Sequence, residues 1–491
     1  MSTTSSLPSP TLNKWSAPLR TVEEVTELLQ PSHGFRLDEL KLCWYQPQNK
    51  NDGKGLLTKR NIAALEKALK KTPSRFLSLS IGWKHGGNRK HLVQLLQLFI
   101  RSGSLPAMQT LESLEIVLDA WIPEPILLQL LVTQASHLKK LHIQATRMKV
   151  RTKNDTFVGK NVYQTLHSAD QYVLREQSVA QLLLAPALSK NLKQLKSLSL
   201  IDCDILDEDV EVLVQFLWQR PIPVDNLNLR SNRHMSPESL QSICEAPVVE
   251  KIDLSLCDIG NGGALAMERA FAADNRVGWR QNNGKWLKEL VMCGNYQLDH
   301  IGFVALCRTI LAHVEHWNLS YCDMTEHQTL SILETFIHSL PPMDGPLREV
   351  TLQGAKVGNE EACQAIGQLL RHNRTLVHIR IDDPKYPMSI PSQYLKYIVD
   401  GLHHNYVVQD LYVDMFRTKQ PERGSKEEEE DRLIRDGLTF YLLLNRSGRS
   451  ILQSDRQVNK EEWIQVLGKA RWTRRLDVLY WLLRNCVVQM F

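Results

Sequence analysis

One pattern, apolar-x-x-apolar-x-apolar, returns along most of this chain and limits what it can fold into more than any other feature. Its clearest copies are Leu195/Leu198/Leu200, Val224/Leu227/Leu229, Val249/Ile252/Leu254, Leu287/Leu290/Met292, Val314/Trp317/Leu319 and Leu347/Val350/Leu352. The frame continues toward the N-terminus at Leu37/Leu40/Leu42, Phe76/Leu79/Ile81, Leu111/Leu114/Ile116 and Leu138/Leu141/Ile143. Toward the C-terminus it continues at Leu376/Ile379/Ile381 and Val408/Leu411/Val413, giving twelve candidate strands. Successive starts lie 25 to 39 residues apart, with one interval of 57. Such a period marks a stacked repeat, in which no unit can bury its apolar face without its neighbours.

The stretch between strands carries helical spacing. Ala362, Ala365, Ile366, Leu369 and Leu370 fall at i, i+3, i+4, i+7 and i+8, and Val210, Leu213, Val214 and Leu217 repeat the stripe. An α/β solenoid follows, with parallel strands on one side and helices on the other. Strands pack about 4.8 Å apart and helices about 10 Å apart, so the stack is expected to curve into a horseshoe with strands on its concave side.

The residue eight past the first apolar position is Cys203, Asn232, Cys257, Asn295 and Cys322 in five consecutive repeats. An Asn or Cys there turns the chain out of the strand while its side chain bonds backbone groups inside the turn. This alternation, in repeats near 28 residues, resembles the ribonuclease-inhibitor-like leucine-rich repeat family. Stretches such as LKSLSLIDCDILDEDVEVLVQFL and LREVTLQGAKVGNEEACQAIGQLLRHN match its strand–turn–helix unit along their length. The resemblance implies a non-enzymatic scaffold that recognises other proteins through the concave wall and its rims.

Four segments follow from this frame. Residues 1–34 read as a disordered Ser/Thr/Pro-rich start followed by a short capping helix, TVEEVTELLQP, and 35–416 as the solenoid. The interval of 57 residues, close to twice 28, holds either a degenerate repeat or a loop near 147–175, and the loop is preferred because TRMKVRTKNDTFVGKN holds no strand triplet. Residues 417–432 read as a charged linker, and 433–491 as a helical module that either caps the array or docks to a larger assembly. Basic insertions at 147–175 and 274–286, the latter with Trp279, read as solvated loops, with a basic rim for an acidic partner as the alternative.

Composition closes off several classes. The 491 residues are 43% hydrophobic and 23% charged, which excludes wholesale disorder, and a net charge of +5 is too dilute to argue for nucleic acid. No run reaches the ~18 apolar residues of a membrane span, and the N-terminus lacks a secretory apolar segment. Nine cysteines without a CxxC pair point to a reducing compartment, so cytoplasmic residence is expected, with nuclear entry left open.

A search for chemistry supports no active site, cofactor or metal. There is no P-loop, GxSxG, HExxH or EF-hand pattern, and GNGG at 260–263 lacks the lysine a phosphate loop needs. His313, His316, Cys322 and His327 are close in sequence, but the repeat frame points them differently. Carboxylates such as Asp207, Glu208, Glu360 and Glu361 sit where helix first turns favour negative charge, and Arg371-His372-Asn373 and His403-His404-Asn405 sit at helix ends.

The candidate surface is the strand wall, where residues between core positions alternate outward. The partner-contacting residues proposed there are Trp44, Trp83 and Leu118 near one end, Asn228, Arg230 and Asp253 in the middle, and Asn318, Tyr321, Arg380 and Tyr412 toward the other. Trp44 and Trp83, however, read first as packed under the N-terminal segment as a cap. Trp, Tyr and Arg dominate binding energy in protein interfaces. The expected partner is a protein, with membrane and nucleic acid disfavoured and no oligomeric state indicated. Two alternatives are a regulator of the GTPase-activating type, raised by the acidic run Glu427–Asp431, and an adaptor that docks through 433–491.

Overall fold

A computed structural model describes residues 39–44, 59–71, 78–83, 89–101, 111–118, 137–145, 192–272, 287–310, 313–339, 346–381, 390–412, 425–452 and 460–490. The expected N-terminal helix and both basic insertions lie outside them. The chain divides into two compact units: Met1–Ser168 with Lys190–Leu195, and Ala169–Ser189 with Lys196–Phe491.

In the first unit, strands β1 (Glu39–Trp44), β2 (Ser78–Trp83), β3 (Ser113–Leu118) and β4 (Lys140–Ala145) pair in parallel and in sequence order. Helices α1 (Lys59–Lys71) and α2 (Arg89–Arg101) follow β1 and β2. The core comes from the repeat triplets, with Leu79, Ile81, Leu114 and Ile116 fully buried beside Leu65, Leu69, Leu95 and Phe99 of the helices.

The second unit carries eight strands, again parallel and in sequence order: β5 (Ser197–Ile201), β6 (Val224–Asn228), β7 (Val248–Asp253), β8 (Leu287–Val291), β9 (Val314–Asn318), β10 (Glu349–Thr351), β11 (His378–Arg380) and β12 (Asp410–Tyr412). The helices between them are α3 (Asp207–Trp218), α4 (Pro237–Glu245), α5 (Asn261–Ala272), α6 (His300–Ile310), α7 (Glu326–Ser339), α8 (Glu360–His372) and α9 (Ser392–His404). Every anticipated strand triplet thus forms a strand. The helix stripe of α8 is buried as the spacing requires. In α3 the buried apolar set is Val210, Leu213, Phe216 and Leu217, and Val214 is half-buried. Local signals start the helices: Ser236 accepts the Ser239 N–H at 3.2 Å ahead of Pro237, and Asn359 accepts the Ala362 N–H at 2.8 Å.

The module after the repeats begins earlier than the charge pattern indicates. Helix α10 spans Lys426–Arg446, so the boundary expected at 433 falls inside it. Ser425 caps it, accepting the Glu428 N–H at 3.1 Å, and the acidic run lies in its first two turns, where the helix dipole favours negative charge. A short turn α11 (Arg449–Leu452) and helices α12 (Lys460–Trp472) and α13 (Leu476–Met490) follow. Leu444, Trp463, Val466, Ala470, Val478 and Leu482 form the buried core of this module.

The module is bonded to the last repeat. Asn445 of α10 donates to the carbonyls of Asn405 at 3.1 Å and Val408 at 2.7 Å. Arg446 bonds Gln409 O at 2.9 Å and the Asp410 carboxylate, and Arg449 reaches the carbonyls of Asn405 at 3.2 Å and His403 at 2.6 Å. Among the described residues, no helix is long and apolar enough to cross a membrane.

Candidate functional site

The turns that end the strands are held by the predicted residues. Asn232 donates from Nδ2 to Leu200 O and Leu229 O, each at 2.7 Å, and accepts the N–H groups of Cys203 at 3.0 Å and Ile205 at 3.2 Å. Asn295 repeats the arrangement one pair of repeats later, bonding Leu254 O, Met292 O, Cys257 N and Ile259 N at 2.8–3.1 Å. Each asparagine therefore closes its own turn and that of the cysteine-bearing repeat before it. The cysteines answer in the same direction, with Cys257 Sγ donating to Leu229 O and Cys322 Sγ to Met292 O, both at 3.3 Å. Burial pushes both thiols up to about 12.

Just before each turn residue the backbone enters the left-handed region, at Asp202, Ser231, Leu256, Gly294, Tyr321 and Gly354, with φ between 53° and 85°. A bulky side chain is uncommon there. Leu256 and Tyr321 each lie against the glycine of the following repeat: a Cβ on Gly294 would meet Leu256 Cδ2 at 2.5 Å, and one on Gly354 would meet Tyr321 Cδ1 at 3.5 Å.

The central column holds two kinds of residue. Asn228, Asp253 and Asn318 each accept, at 3.0 Å, the backbone N–H two residues on, from Arg230, Ser255 and Ser320. Asp253 and Asn318 also accept the hydroxyls of Ser255 and Ser320, at 2.6 and 2.7 Å. These oxygens are thus committed to the strand exit, as in Asx turns, and only the remaining polar atoms can face a partner. Further along, Asn318, Thr351, Arg380 and Tyr412 lie in register on β9 to β12. Tyr412 is 51% exposed, and the exposed Arg380 guanidinium stands 5.4 Å from its ring centroid, a cation–π pair.

In the first unit the ends of three strands align, Trp44 beside Trp83 and Trp83 beside Leu118. The structure therefore brings together Trp44, Trp83 and Leu118 by register and Arg380 and Tyr412 by contact. Arg230 is exposed at its turn, and Tyr321 is half-buried beside Gly354.

A neighbouring column went unread in the sequence. Lys251, Glu289, His316, Glu349, His378 and Asp410 follow one another on β7 to β12. Lys251 pairs with Glu289 at 2.8 Å, His316 with Glu349 at 2.9 Å and His378 with Asp410 at 2.8 Å, and Arg446 of α10 adds the last rung on Asp410. Alternating charge at one repeat position is the signal that could have revealed this ladder. His316 is thereby engaged with a carboxylate of the next repeat.

The leucine-rich repeat family matches the chain over residues 246–267, which span the turn of Cys257. No curated protein matches it. Among solved structures, the leucine-rich repeat-containing protein LegL7 from Legionella pneumophila is similar at 18% identity, covering 71% of this chain and 93% of its own, with a TM-score of 0.39. The Rad7–Elc1 complex from yeast is similar at 15% identity, covering 65% of this chain and 72% of that one, with a TM-score of 0.33. With its strand triplets, shared asparagine turns and returning helices, the chain has the leucine-rich repeat fold, an α/β solenoid.

Proposed function

We propose that this protein is a non-enzymatic interaction scaffold that holds a protein partner against its strand wall, with the C-terminal module closing the end of the array. The observation that carries the reading is the Arg380–Tyr412 pair: an exposed aromatic and a guanidinium in contact on strands whose opposite side is covered by helices. Such residues anchor interfaces because they combine a large apolar area with directional polar groups. The in-register Trp44–Trp83–Leu118 row supports a second anchor zone in the first unit. The Cys/Asn exchange at the turns supports a place in the ribonuclease-inhibitor-like group.

The bonds from Asn445, Arg446 and Arg449 to the last repeat support the capping role of the module. The acidic run that raised a GTPase-activating reading has a sufficient structural role in the first turns of α10.

The test is affinity capture from source cells with the full chain, read by cross-linking mass spectrometry, beside an Arg380→Glu/Tyr412→Ala variant checked for folding by circular dichroism. Cross-links along the strand columns that disappear in the folded variant are expected. A partner retained by the variant and cross-linked only to helices α3–α9 would sink the proposal.

A further inference from the structure

We propose that the outward faces of α12 and α13 form a second docking surface, for an acidic amphipathic helix of a partner protein. The four most exposed large hydrophobic side chains among the described residues are all here: Trp472 at 87%, Leu476 at 82%, Tyr480 at 65% and Ile464 at 61%. They are spaced for helix faces. Ile464, Gly468 and Trp472 fall at i, i+4 and i+8 on α12, and Leu476, Tyr480 and Leu483 at i, i+4 and i+7 on α13. The opposite faces already supply the module core through Trp463, Val466, Ala470, Val478 and Leu482. Both helices are thus apolar on two sides, which a helix at a surface is not unless the second side is covered as well.

Charge names the occupant. Lys469, Arg471, Arg474 and Arg484 are exposed beside these apolar residues, and none has a carboxylate partner among the described residues. Arg475, by contrast, is taken by Asp477 at 2.7 Å and faces Asp436 at 3.9 Å. Arg474 holds φ at 55° immediately after α12, where helices commonly place glycine, so a cation stands at a position whose backbone disfavours any side chain. A second copy of this chain would set these four cations against the same four, with Glu461 at the start of α12 the exposed carboxylate beside Ile464. Between Ile464 and Trp472, a Cβ added at Gly468 would meet nothing within 4 Å, so the helix surface is open there. A partner helix can seat a side chain there, and a lipid bilayer gains nothing from it. The fitting ligand is therefore a helix with apolar residues at i, i+3 and i+4 flanked by Asp or Glu.

The test is selection on the full chain from a displayed library of amphipathic helices, on the order of 18 residues each, with random flanking charge. Enrichment of Asp and Glu beside Leu, Phe or Trp is expected. The selected peptides, fluorescently labelled, should bind about tenfold or more weakly to Trp472→Ala/Tyr480→Ala and to Arg471→Glu/Arg474→Glu. Those substitutions fall on exposed side chains, and circular dichroism checks that folding is kept. Peptide binding should be indifferent to Arg380→Glu/Tyr412→Ala, which separates this surface from the strand wall. The proposal is overturned by a failure to enrich acidic helices, or by binders that ignore both module variants. Trp472-dependent sedimentation with phosphatidylserine vesicles in preference to the peptides, or a dimer abolished by Trp472→Ala, would overturn it equally.

Discussion

Asn295 accepts the backbone N–H of Cys257 at 3.0 Å, reaching across from one repeat to close the turn of the one before it. Because its amide also donates to Leu254 O and Met292 O and accepts from Ile259, four backbone groups of two repeats converge on one side chain. The solenoid is therefore joined at its turns by a buried polar contact as well as by apolar stacking.

Asn295→Ala removes this partner from the Cys257 and Ile259 N–H groups and from Leu254 O in a buried turn, while Met292 O keeps the Cys322 thiol. A buried unpaired backbone group costs about 1–3 kcal/mol, so the variant should lose about 3 kcal/mol or more, read by urea denaturation. Asn295→Asp keeps the two acceptor bonds but loses both donor bonds and buries a charge, and should be no better. A loss below about 1 kcal/mol would contradict the turn's assigned role.

The buried cysteines should be chemically silent. The Cys257 and Cys322 thiols are pushed up to about 12 by burial, so at pH 8 both remain protonated and shielded. Iodoacetamide should leave both unlabelled in the folded protein and label both in urea, as peptide mass spectrometry reads directly.

Two glycines make opposite predictions. A Cβ on Gly401 would stand 2.4 Å from the Gly367 carbonyl oxygen, where α8 and α9 approach closely. Gly401→Ala should therefore force the helices apart and lose about 2 kcal/mol or more in thermal or urea melts. Gly468→Ala adds a methyl to open space in mid-helix, and should gain about 0.5–1 kcal/mol.

Ending the chain at Thr418 removes α10 to α13 and uncovers the edge strand β12 and the flank of α9. This variant should aggregate, or unfold from its C-terminal repeats, as followed by light scattering and hydrogen exchange. Asn445→Ala should give a milder form, with faster amide exchange confined to residues near 405–412.

Asp207 gives a pH dependence of known sign. Partial burial pushes its carboxyl upward, but bonds from the Ser236 N–H at 2.8 Å and the Ser239 hydroxyl at 2.7 Å outweigh this and hold it below the usual carboxylate range. Its contribution is present above the unfolded value near ~3.9 and is lost as pH falls through the lowered folded value. Asp207 is exposed, so after solvent screening Asp207→Asn should cost about 1 kcal/mol or less at pH 7. The gap between variant and parent should close by about pH 2.

The strands were legible because core positions recur in a fixed triplet, and Asn232 and Asn295 because buried turns demand a side chain that both donates and accepts. What escaped the sequence depends on register between distant repeats. Glu349 is one carboxylate among many until β10 aligns it beside His316 and His378. Asn228, Asp253 and Asn318 occupy outward positions, yet the nearest backbone N–H claims their oxygens first. Glu427–Asp431 has the composition of a linker but follows Ser425, whose cap turns the acidic run into the start of a helix. The exposed Trp472 gave no signal, since burial of one helix face cannot be told from burial of two by spacing alone.

The amide of Asn405 bonds Leu370 O at 2.7 Å and Asn373 O at 3.0 Å. Asn445, from a helix that belongs to no repeat, likewise bonds the carbonyl of the asparagine before it, Asn405 O at 3.1 Å, with Val408 O at 2.7 Å as its second partner. Leu-x-x-Asn recurs at 370/373, 402/405 and 442/445, so the terminal piece addresses its neighbour in the same dialect as the repeats address each other. The Asn445, Arg446 and Arg449 bonds that hold this end fall on residues 402–410 of the last repeat. Duplication or loss of a repeat upstream of that one leaves them in place, so the array can change length by recombination while keeping the same terminus.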